Sequence, residues 1–401
     1  MKFVVATYGT EGDTRPLAAL SRALLDAGHH VRLLADAATL GSAASLGIPA
    51  APLAGDIKAV LRPAKETRPA DTIRALAEIT NANTEGWLRE ITTAAHGCDA
   101  IIGSALASFV GLSAAECLGI KAIGAGFIPI TPTAAFASPF LPPGLVPKWL
   151  NKASHRFVNG AIWRLLRRHT NSARARVCGL PPRRGVFVDH PMLWGVSPAL
   201  LPRPADYPPT AFICGQWAVP SPDWSPPPAL TDFLAAGDPP LYVGFGSMAG
   251  LMPRRRLQEL IAGIDGRRTL FYAGWSDIQA GQLPGNFLLV RDTPHDWLLP
   301  QTSAVIHHGG AGTTHSAARA GVPSVVVPFA GDQLFWAHRL HGLGVAPAPL
   351  RAQSLRASRL AAALAFTERP NARARAAELG ARMRSEDGLA AAISAIETLM
   401  T

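Results

Sequence analysis

The chain has 401 residues, which is too long for one ordinary hydrophobic core and predicts two domains of about 200 residues each. Hydrophobic residues make up 48% of it, and the formal net charge of +10 indicates a basic surface that attracts anions. The four cysteines, Cys98, Cys117, Cys178 and Cys214, form no CxxC pair, which argues against a disulfide framework and against a zinc site.

Two apolar segments could suggest export or membrane insertion, and both have features that oppose it. The apolar run after Met1 is too short for a signal peptide, and Glu11 and Asp13 follow it at once. The charge-free stretch 122–147 contains six prolines and is therefore expected to be a loop. We expect a cytoplasmic protein.

The positive charge is concentrated in one segment. Residues 152–184 contain nine Lys or Arg and no Asp or Glu. A solvated helical surface is the favoured interpretation, and weak contact with a membrane surface is the second. We expect no nucleic-acid partner.

The first 36 residues predict a strand, a loop, a helix and a second strand. The loop contains Gly9, Thr10 and Gly12, and the helix is expected to begin near Arg15, with Asp13 in front of it as a helix cap. A dinucleotide fingerprint would require G-x-G-x-x-G at this point, and a carboxylate at position 13 would repel a pyrophosphate. The sequence therefore disfavours a dehydrogenase.

The alternation of helices and strands continues through the first half. Helices are predicted over 57–96, 104–118 and, as a basic helical pair, 149–178; strands are predicted at 100–103, 121–124, 193–196 and 212–215. The proline-rich loop 126–147 carries three aromatic side chains, Phe127, Phe136 and Phe140, which are candidates for a pocket that binds an apolar molecule. A proline-stiffened connection between elements is the equally favoured interpretation.

A second doubly wound unit follows a proline-rich connection. Between Pro202 and Pro240 there are eleven prolines, a composition that suits a stiff linker. Strands are then predicted at 241–245, 269–273 and 287–291, with a helix over 253–263. The boundaries are drawn at 1–215 for the first domain, 216–240 for the linker, 241–380 for the second domain and 381–401 for a terminal helix.

The stretch 303–336 is the most informative part of the chain. A buried strand ends at His307-His308, a turn follows with Gly309, Gly310 and Gly312, and Thr313-Thr314 can cap the next helix. A glycine turn that leads into a helix start is suited to bind an anion such as a pyrophosphate. A second strand, 324–329, ends before Asp332-Gln333, at the edge where parallel sheets bind ligands.

This stretch resembles the nucleotide-sugar signature of the family 1 inverting glycosyltransferases, in the branch of sterol glucosyltransferases and antibiotic-tailoring enzymes. The match is carried by residues 305–349, which include HHGGAGTTHSAARAGVPSVVVPFAGDQ, and weaker similarity extends over nearly the whole chain. The resemblance implies an α/β GT-B fold, in which two facing doubly wound, Rossmann-like domains enclose a cleft and the last helix returns to the first domain.

The resemblance also implies roles for individual residues. Asp13 would be the catalytic base, and Asp332 and Gln333 would hold the donor sugar. Asp292 and Thr293 lie where the nucleobase is expected, although the family's stacking tryptophan is absent there, and His315 replaces a ribose-binding glutamate of plant members. His308 is expected to be structural. The diphosphate would be bound by Ser247, His307, Gly309, Gly310, Gly312 and Thr313.

These features predict a transferase that moves a hexose from a UDP- or dTDP-sugar to a hydroxyl of a hydrophobic acceptor. No D-x-D motif occurs, so we expect no metal and no cofactor besides the nucleotide sugar. A sugar-nucleotide epimerase or hydrolase of the same fold, and a catalytically silent binding protein, are the alternatives. The sequence leaves open the acceptor, the sugar, UDP against dTDP, and monomer against homodimer.

Overall fold

The computed structural model describes residues 1–60, 69–218, 224–276 and 278–401. Parts of the predicted helix 57–96 and of the predicted linker, at 61–68 and 219–223, lie outside the described residues. The strands are β1 (Lys2–Tyr8), β2 (His30–Asp36), β3 (Ala50–Leu53), β4 (Ala100–Ala105), β5 (Lys121–Gly126), β6 (Met192–Trp194), β7 (Ala211–Ile213), β8 (Leu241–Gly244), β9 (Thr269–Tyr272), β10 (Phe287–Val290), β11 (Ala304–His307) and β12 (Ser324–Val326).

The helices of the first half are α1 (Glu11–Asp26), α2 (Gly41–Ser45), α3 (Ile57–Val60), α4 (Pro69–Ala94), α5 (Ser108–Leu118) and α6 (Asn151–Cys178). Those of the second half are α7 (Pro228–Ala235), α8 (Arg254–Ile264), α9 (His295–Leu298), α10 (Ala311–Ala320), α11 (Gln333–Gly342), α12 (Ala357–Thr367), α13 (Pro370–Arg384) and α14 (Gly388–Met400). None of the helices in these described ranges is long and apolar enough to cross a lipid bilayer.

The strands form two parallel sheets, which confirms the predicted α/β fold class. Their orders are β3-β2-β1-β4-β5-β6-β7 and β10-β9-β8-β11-β12. In the first sheet, β2 and β3 lie on one side of β1, and β4 begins the other side. In the second sheet, β9 and β10 lie on one side of β8, and β11 begins the other. The strand order therefore reverses between β1 and β4 and between β8 and β11. Ligands bind at the carboxyl ends of such strands. Three glycine-containing turns lie at these carboxyl ends: 9–12 after β1, 246–247 after β8 and 309–312 after β11.

Both sheets are covered on their two faces. Along β1, Phe3 and Val5 face a core shared with α1 and α14, whereas Val4 and Ala6 face a core shared with α4 and α5. The second sheet is likewise covered by α8 and α12 on one face and by α7 and α10 on the other. Burial on both faces explains why most strands read as continuous apolar runs.

Four elements differ from the sequence-based expectation. The predicted helical pair is the single helix α6, because its apolar face continues past Gly160. Strand β3 was not predicted, and its Pro52 is tolerated because β3 lies at the sheet edge. Helix α7 lies inside the predicted linker and buries Leu230 against the second sheet. Strand β12 ends at Val326 rather than at 329.

The two domains share apolar contacts. Trp194, Val196 and Leu201 of the first half form one buried cluster with Phe335 and Trp336 of α11. At the other end of the chain, α14 lies on α1 and contributes Ala392, Ala395 and Ile396 to the first domain's core. The two domains are therefore joined by the cluster around α11 and by α14, which packs on the first domain.

The crossing into α14 depends on a close approach of two backbone segments. A Cβ atom at Gly388 would collide with the carbonyl oxygen of Gln216 and would lie 2.6 Å from the carbonyl carbon of Gly215. Gly215 has φ of +98°, a conformation that few other residues adopt. Because both neighbours are backbone atoms, they cannot move aside as a side chain could.

We therefore expect Gly388→Ala to destabilise the protein by about 1–3 kcal/mol, the usual cost of forced overpacking. Gly160→Ala is the matched control, since a Cβ at this position in α6 meets nothing within 4 Å. The control should be neutral or stabilising by up to about 1 kcal/mol. Thermal unfolding midpoints measure both variants, and equal midpoints for Gly388→Ala and wild type would contradict the close approach.

Candidate active site

The carboxyl edges of the two sheets bring two helix starts into proximity. Helix α1 follows β1 in the first domain, and α10 follows β11 in the second. The two helices contact each other, and Ala311, the first residue of α10, packs against the core of the first domain. Helix starts carry unpaired N–H groups and the positive end of the helix dipole. A cleft between these two starts therefore favours an anionic ligand.

The start of α1 is closed by its own side chains. Thr10 caps the helix, and Asp13 at the third helical position accepts hydrogen bonds at Oδ2 from the Thr10 backbone N–H at 2.8 Å and from its hydroxyl at 3.3 Å. This capping box replaces the expected helix start near Arg15, and the cap is Thr10 rather than Asp13. Gly12 consequently lies in the first turn of the helix.

Asp13 is half-buried and chemically perturbed. Burial raises its pKa to about 6, although the two hydrogen bonds from Thr10 oppose the rise. Within the described part of the chain no donor is bonded to Oδ1 of this carboxylate. Asp13 is therefore ionised at neutral pH, is more basic than an ordinary aspartate and has one oxygen without a protein donor.

The start of α10, in contrast, has no side-chain cap. Gly310 is the N-cap residue, and Thr313 lies in the first turn rather than in front of the helix, as does Thr314, whose hydroxyl is buried. The turn before it is tight, since Gly309 has φ of +91° and a Cβ there would lie 2.8 Å from the Val326 side chain. The N–H groups at this start thus lack the side-chain acceptor that α1 has.

The two histidines of the turn have different surroundings. His307 is fully buried; its Nδ1 accepts from the Gly309 N–H at 3.1 Å, so its proton lies on Nε2, which has no partner in the described residues. Burial is the main cause that lowers the pKa of His307 to about 3 and that of His308 to about 4, so both rings are neutral.

His308, rather than His307, lies beside both glycine turns of the second sheet. Its Nε2 occupies the space next to Gly310, and its Cε1 lies 3.6 Å from where a Cβ of Gly246 would be. Gly246 and Ser247 begin the short turn after β8. By strand alternation His307 shares its face with Val305, towards the buried Tyr242. The roles that the sequence suggested for the two histidines stay predictions, since His307 Nε2 and His308 Nδ1 are both buried without a partner among the described residues.

Asp332 and Gln333 lie at the start of α11, and both have protein partners. Asp332 Oδ2 accepts from the indole N–H of Trp336 at 2.8 Å, and Gln333 Oε1 accepts from the backbone N–H groups of Phe329 at 2.7 Å and Ala330 at 3.1 Å. The amide oxygen of Gln333 is thus committed to the loop, and its NH₂ group is the part left for a ligand. Trp336 packs between the domains, against Trp194 and Val196 of the first domain.

The two aspartates of the cleft interact. Burial raises the pKa of Asp332 to about 6, and the negative charge of Asp13 contributes to the rise, while the Trp336 hydrogen bond opposes it. Asp13 comes from the first domain and Asp332 from the second. Each domain therefore contributes one carboxylate to the same site.

The predicted nucleobase segment contains an ion pair that the sequence did not reveal. Arg15 of α1 donates from both terminal guanidinium nitrogens to Asp292 across the domain boundary, from Nη2 to Oδ2 at 2.7 Å and from Nη1 to Oδ1 at 3.3 Å. The Thr293 hydroxyl donates to the Arg291 carbonyl at 3.0 Å. Asp292 and Thr293 are therefore both engaged within the protein. No local sequence signal pairs Arg15 with a residue 277 positions away.

His295 is a further buried group close to this ion pair. Its Nε2 lies 3.4 Å from the Tyr242 hydroxyl, and burial together with the charge of Arg15 lowers its pKa to about 4. His315 lies deeper, where its Nε2 accepts from the Ser197 N–H at 3.1 Å and its Nδ1 donates to the Ala311 carbonyl at 2.7 Å. The ring at 315 therefore connects the domains instead of facing a ribose.

The structure does not bring together the three phenylalanines proposed for an acceptor pocket. Phe127 is buried in the core of the first domain, with its ring 5.5 Å from that of Trp217. Phe136 reaches the second domain, 5.3 Å from the ring of Phe335, whereas Phe140 is exposed. Of the three, Phe136 lies at the domain boundary.

Within residues 1–60, 69–218, 224–276 and 278–401, no three or more His, Cys, Asp or Glu side chains lie together in a way that could hold a metal ion.

Residues 258–398 match the family described as erythromycin biosynthesis protein CIII-like, C-terminal domain. A sterol 3-beta-glucosyltransferase from Arabidopsis thaliana is 30% identical over 98% of this chain and 67% of its own length. In Neurospora crassa the sterol 3-beta-glucosyltransferase is 32% identical, and the chain spans 27% of its length. The O-mycaminosyltylonolide 6-deoxyallosyltransferase of Streptomyces fradiae is 32% identical over 99% of this chain and 97% of its own.

Solved structures agree on the fold. The glycosyltransferase of kitacinnamycin superposes with a TM-score of 0.71 at 20% identity, over 100% of this chain and 99% of the other. The glycosyltransferase VinC in complex with dTDP gives a TM-score of 0.64 at 20% identity, with coverage of 100% and 99%. With the full-length match to the Streptomyces fradiae enzyme, these findings place the chain in the GT-B glycosyltransferases of family 1, among relatives that glycosylate sterols and tailor antibiotics.

Proposed function

We propose that this glycosyltransferase moves a hexose from a UDP- or dTDP-sugar to a hydroxyl of a hydrophobic acceptor, with inversion and without a metal. The observation that carries the proposal is the pairing of a basic carboxylate with an uncapped helix start. Asp13 lies on one side of the cleft, and the start of α10 lies on the other. Deprotonation of the acceptor and stabilisation of an anionic leaving group need these two components.

In the proposed step, the acceptor oxygen forms a bond to the anomeric carbon on the face opposite the leaving group. The bond from that carbon to the phosphate oxygen breaks, and its electron pair leaves with the nucleoside diphosphate. Oδ1 of Asp13 takes the acceptor proton, while Thr10 holds Oδ2 in place. A pKa of about 6 suits this role, since the base is ionised at neutral pH and still accepts a proton.

The leaving diphosphate would be bound at the turn after β11. Backbone N–H groups of the uncapped α10 start would donate to its oxygens, and Ser247 and Thr313 would complete the set. The neutral His308 ring has one N–H, for which the Gly244 carbonyl is a competing acceptor, and this N–H would turn to the diphosphate when it binds. His308 is assigned this contact because it lies beside both glycine turns, whereas His307 faces the buried Tyr242 side. The NH₂ group of Gln333 and the Asp332 carboxylate would hold the sugar hydroxyls.

The acceptor class is supported by the relatives and by the loop after β5. The names of the relatives specify a sterol and a tylonolide, which are both largely apolar molecules that carry hydroxyls. Phe136 of that loop lies at the domain boundary, where an apolar acceptor would approach Asp13.

Nucleoside diphosphate release from a panel of UDP- and dTDP-sugars tests the proposal, with sterols, flavonoids and macrolides as acceptors. The proposal predicts release that depends on the acceptor, and proton NMR of the product should show an inverted anomeric centre. Equal release without any acceptor would favour a hydrolase, and a retained anomeric configuration would exclude direct displacement.

The role of Asp13 can be tested by replacement and by pH. We expect Asp13→Ala to lower transfer by about 10²–10⁴-fold, the usual range for a lost general base, with donor affinity nearly unchanged. In the wild type, kcat/KM should fall as the pH drops through about 6, because the protonated carboxyl cannot accept a proton.

Asp332 also titrates near this pH, so Asp332→Asn is the control for the profile. In this variant log kcat/KM should still fall with a slope of one as the pH drops, and that fall belongs to Asp13. Near wild-type turnover in Asp13→Ala, or a flat profile in Asp332→Asn, would remove Asp13 from the mechanism.

For the histidine pair we expect His308→Ala to weaken both the donor and the free nucleoside diphosphate by about tenfold or more, the cost of one charge-assisted hydrogen bond. His307→Ala should mainly lower the thermal midpoint, because this ring is buried in the sheet. Calorimetric titration at a temperature where both variants are folded distinguishes a loss of diphosphate affinity from a loss of stability. Loss of diphosphate affinity in His307→Ala alone would restore the assignment that the sequence suggested.

Replacement of Gln333 should weaken interactions with the donor sugar and leave the affinity for the diphosphate unchanged. Gln333→Ala should cost about 1–3 kcal/mol of transition-state stabilisation, the penalty for unpairing a buried polar partner, and should reduce discrimination between sugars that differ at one hydroxyl. Gln333→Glu is the matched variant, since it keeps an oxygen that can hold the 329–330 loop, while it replaces the amide donor by an acceptor and adds a negative charge beside Asp332. Titration with donor and with free nucleoside diphosphate measures the difference, and equal losses for the two ligands would contradict the assignment.

A further inference from the structure

A surface on the first domain combines exposed apolar side chains with unpaired positive charge. It comprises the end of the loop before α6 and the outer face of α6, and we call it the α6 surface. Trp149, in the short turn before α6, is 81% exposed, and Phe157 on the helix is 68% exposed. Leu145 and Leu165 are exposed beside them. Single exposed apolar residues are common, but four within 21 positions of one segment indicate an interaction surface.

Arginines share this face with the apolar side chains. Phe157, Arg164 and Arg168 follow one another at spacings of seven and four, so they lie on the same side of the helix. Arg156 and Arg167, eleven positions apart, are exposed along one edge of the same face. The opposite face, with Val158, Trp163 and Leu166, is buried in the domain.

The acidic side chains around α6 have partners of their own. Glu116 binds Arg174 and Arg183, Glu85 binds Arg89 and Arg176, and Asp206 binds Lys152. Throughout the described ranges, no carboxylate lies within ion-pair distance of Arg156, Arg164, Arg167 or Arg168. Among the residues that the structure describes, these four positive charges therefore face outward without a carboxylate partner.

We infer that the α6 surface docks on an anionic lipid bilayer. A helix that presents Trp, Phe and Leu among arginines is suited to the boundary between headgroups and acyl chains, where the apolar groups insert and the guanidinium groups meet phosphates. A nucleic acid would satisfy the arginines but would leave the leucines and the tryptophan in water. An acidic protein surface would likewise leave the apolar side chains without a matching partner.

Docking at the α6 surface would bring the bilayer close to the loop through which an acceptor reaches the cleft. The chain between β5 and α6 also carries Phe136, whose backbone carbonyl is hydrogen-bonded to His155 of α6 and whose ring meets Phe335 at the domain boundary. An acceptor dissolved in the bilayer would thus enter beside the loop that leads to the cleft. This consequence depends on the proposed function, whereas the docking itself does not.

Vesicle co-sedimentation tests the docking without donor or acceptor. The full chain is mixed with vesicles of phosphatidylcholine alone or of phosphatidylcholine with phosphatidylglycerol, and the bound fraction is measured. We expect binding to the anionic vesicles that is at least about tenfold stronger than to the neutral ones and that weakens with salt. Binding that does not depend on phosphatidylglycerol would overturn the inference.

Two variants of the α6 surface and one matched control define the site. One variant, Trp149→Ser with Phe157→Ser, removes the two most exposed of the four apolar side chains. The other combines Arg156→Gln, Arg164→Gln, Arg167→Gln and Arg168→Gln and removes the four charges. The control replaces Arg351, Arg359, Arg373 and Arg382, which are exposed on the second domain, by glutamine and so changes the net charge equally. Thermal midpoints of all three are compared with that of the wild type to confirm folding.

Both α6 variants should lose about tenfold or more in affinity for the anionic vesicles, and the control should keep its affinity. An equal loss in the control would show that net charge alone is responsible. If the wild type dimerises in sedimentation velocity and the α6 variants do not, without vesicle binding in either, the surface is a contact between copies and the inference is wrong. Failure of sugar transfer would leave all of these readouts unchanged.

Discussion

Trp336 lies between the two domains with its indole fully buried, in a cluster with Trp194, Val196 and Leu201 of the first domain. Its N–H donates to Asp332, so the ring that joins the domains also orients a carboxylate of the cleft. His315, whose ring lies 5.1 Å from that of Trp336, accepts from Ser197 and adds a polar contact between the same domains. The distance between Asp13 and the start of α10 therefore depends on this packing.

The site offers an anionic ligand chiefly helix and N–H dipoles and little formal positive charge. Burial keeps His295, His307, His308 and His315 neutral, because it lowers the pKa of each to about 4 or below. Arg15 is already paired with Asp292. Two carboxylates lie nearby, so for the proposed diphosphate ligand the donors on offer are backbone and imidazole N–H groups. Such donors are fixed before the reaction and need no rearrangement as charge develops.

Local sequence patterns were sufficient for the fold, and they identified the segments at the carboxyl edges of the sheets, whereas the roles of the individual site residues stay predictions. The apolar runs and glycine turns predicted both parallel sheets, since burial on two faces leaves an unmistakable pattern at Val4, Val5 and Ala6 or at Val325 and Val326. The contacts that depend on the other domain could not be predicted. Arg15 with Asp292, and His315 with Ser197, join positions far apart in the chain. The surroundings of His307, at the end of β11, and of His308, directly after it, depend on contacts with β8 and with the turn at Gly246.

The contrast between the two helix starts is the central claim, since α1 is capped by Thr10 and Asp13 whereas α10 is uncapped. A crystal structure of the protein with a bound nucleoside diphosphate tests it most directly. The account predicts phosphate oxygens within hydrogen-bond distance of the N–H groups at the start of α10 and of His308 Nε2, with Asp13 facing the empty sugar position. A diphosphate bound at the start of α1, or one that contacts neither α10 nor His308, would contradict it.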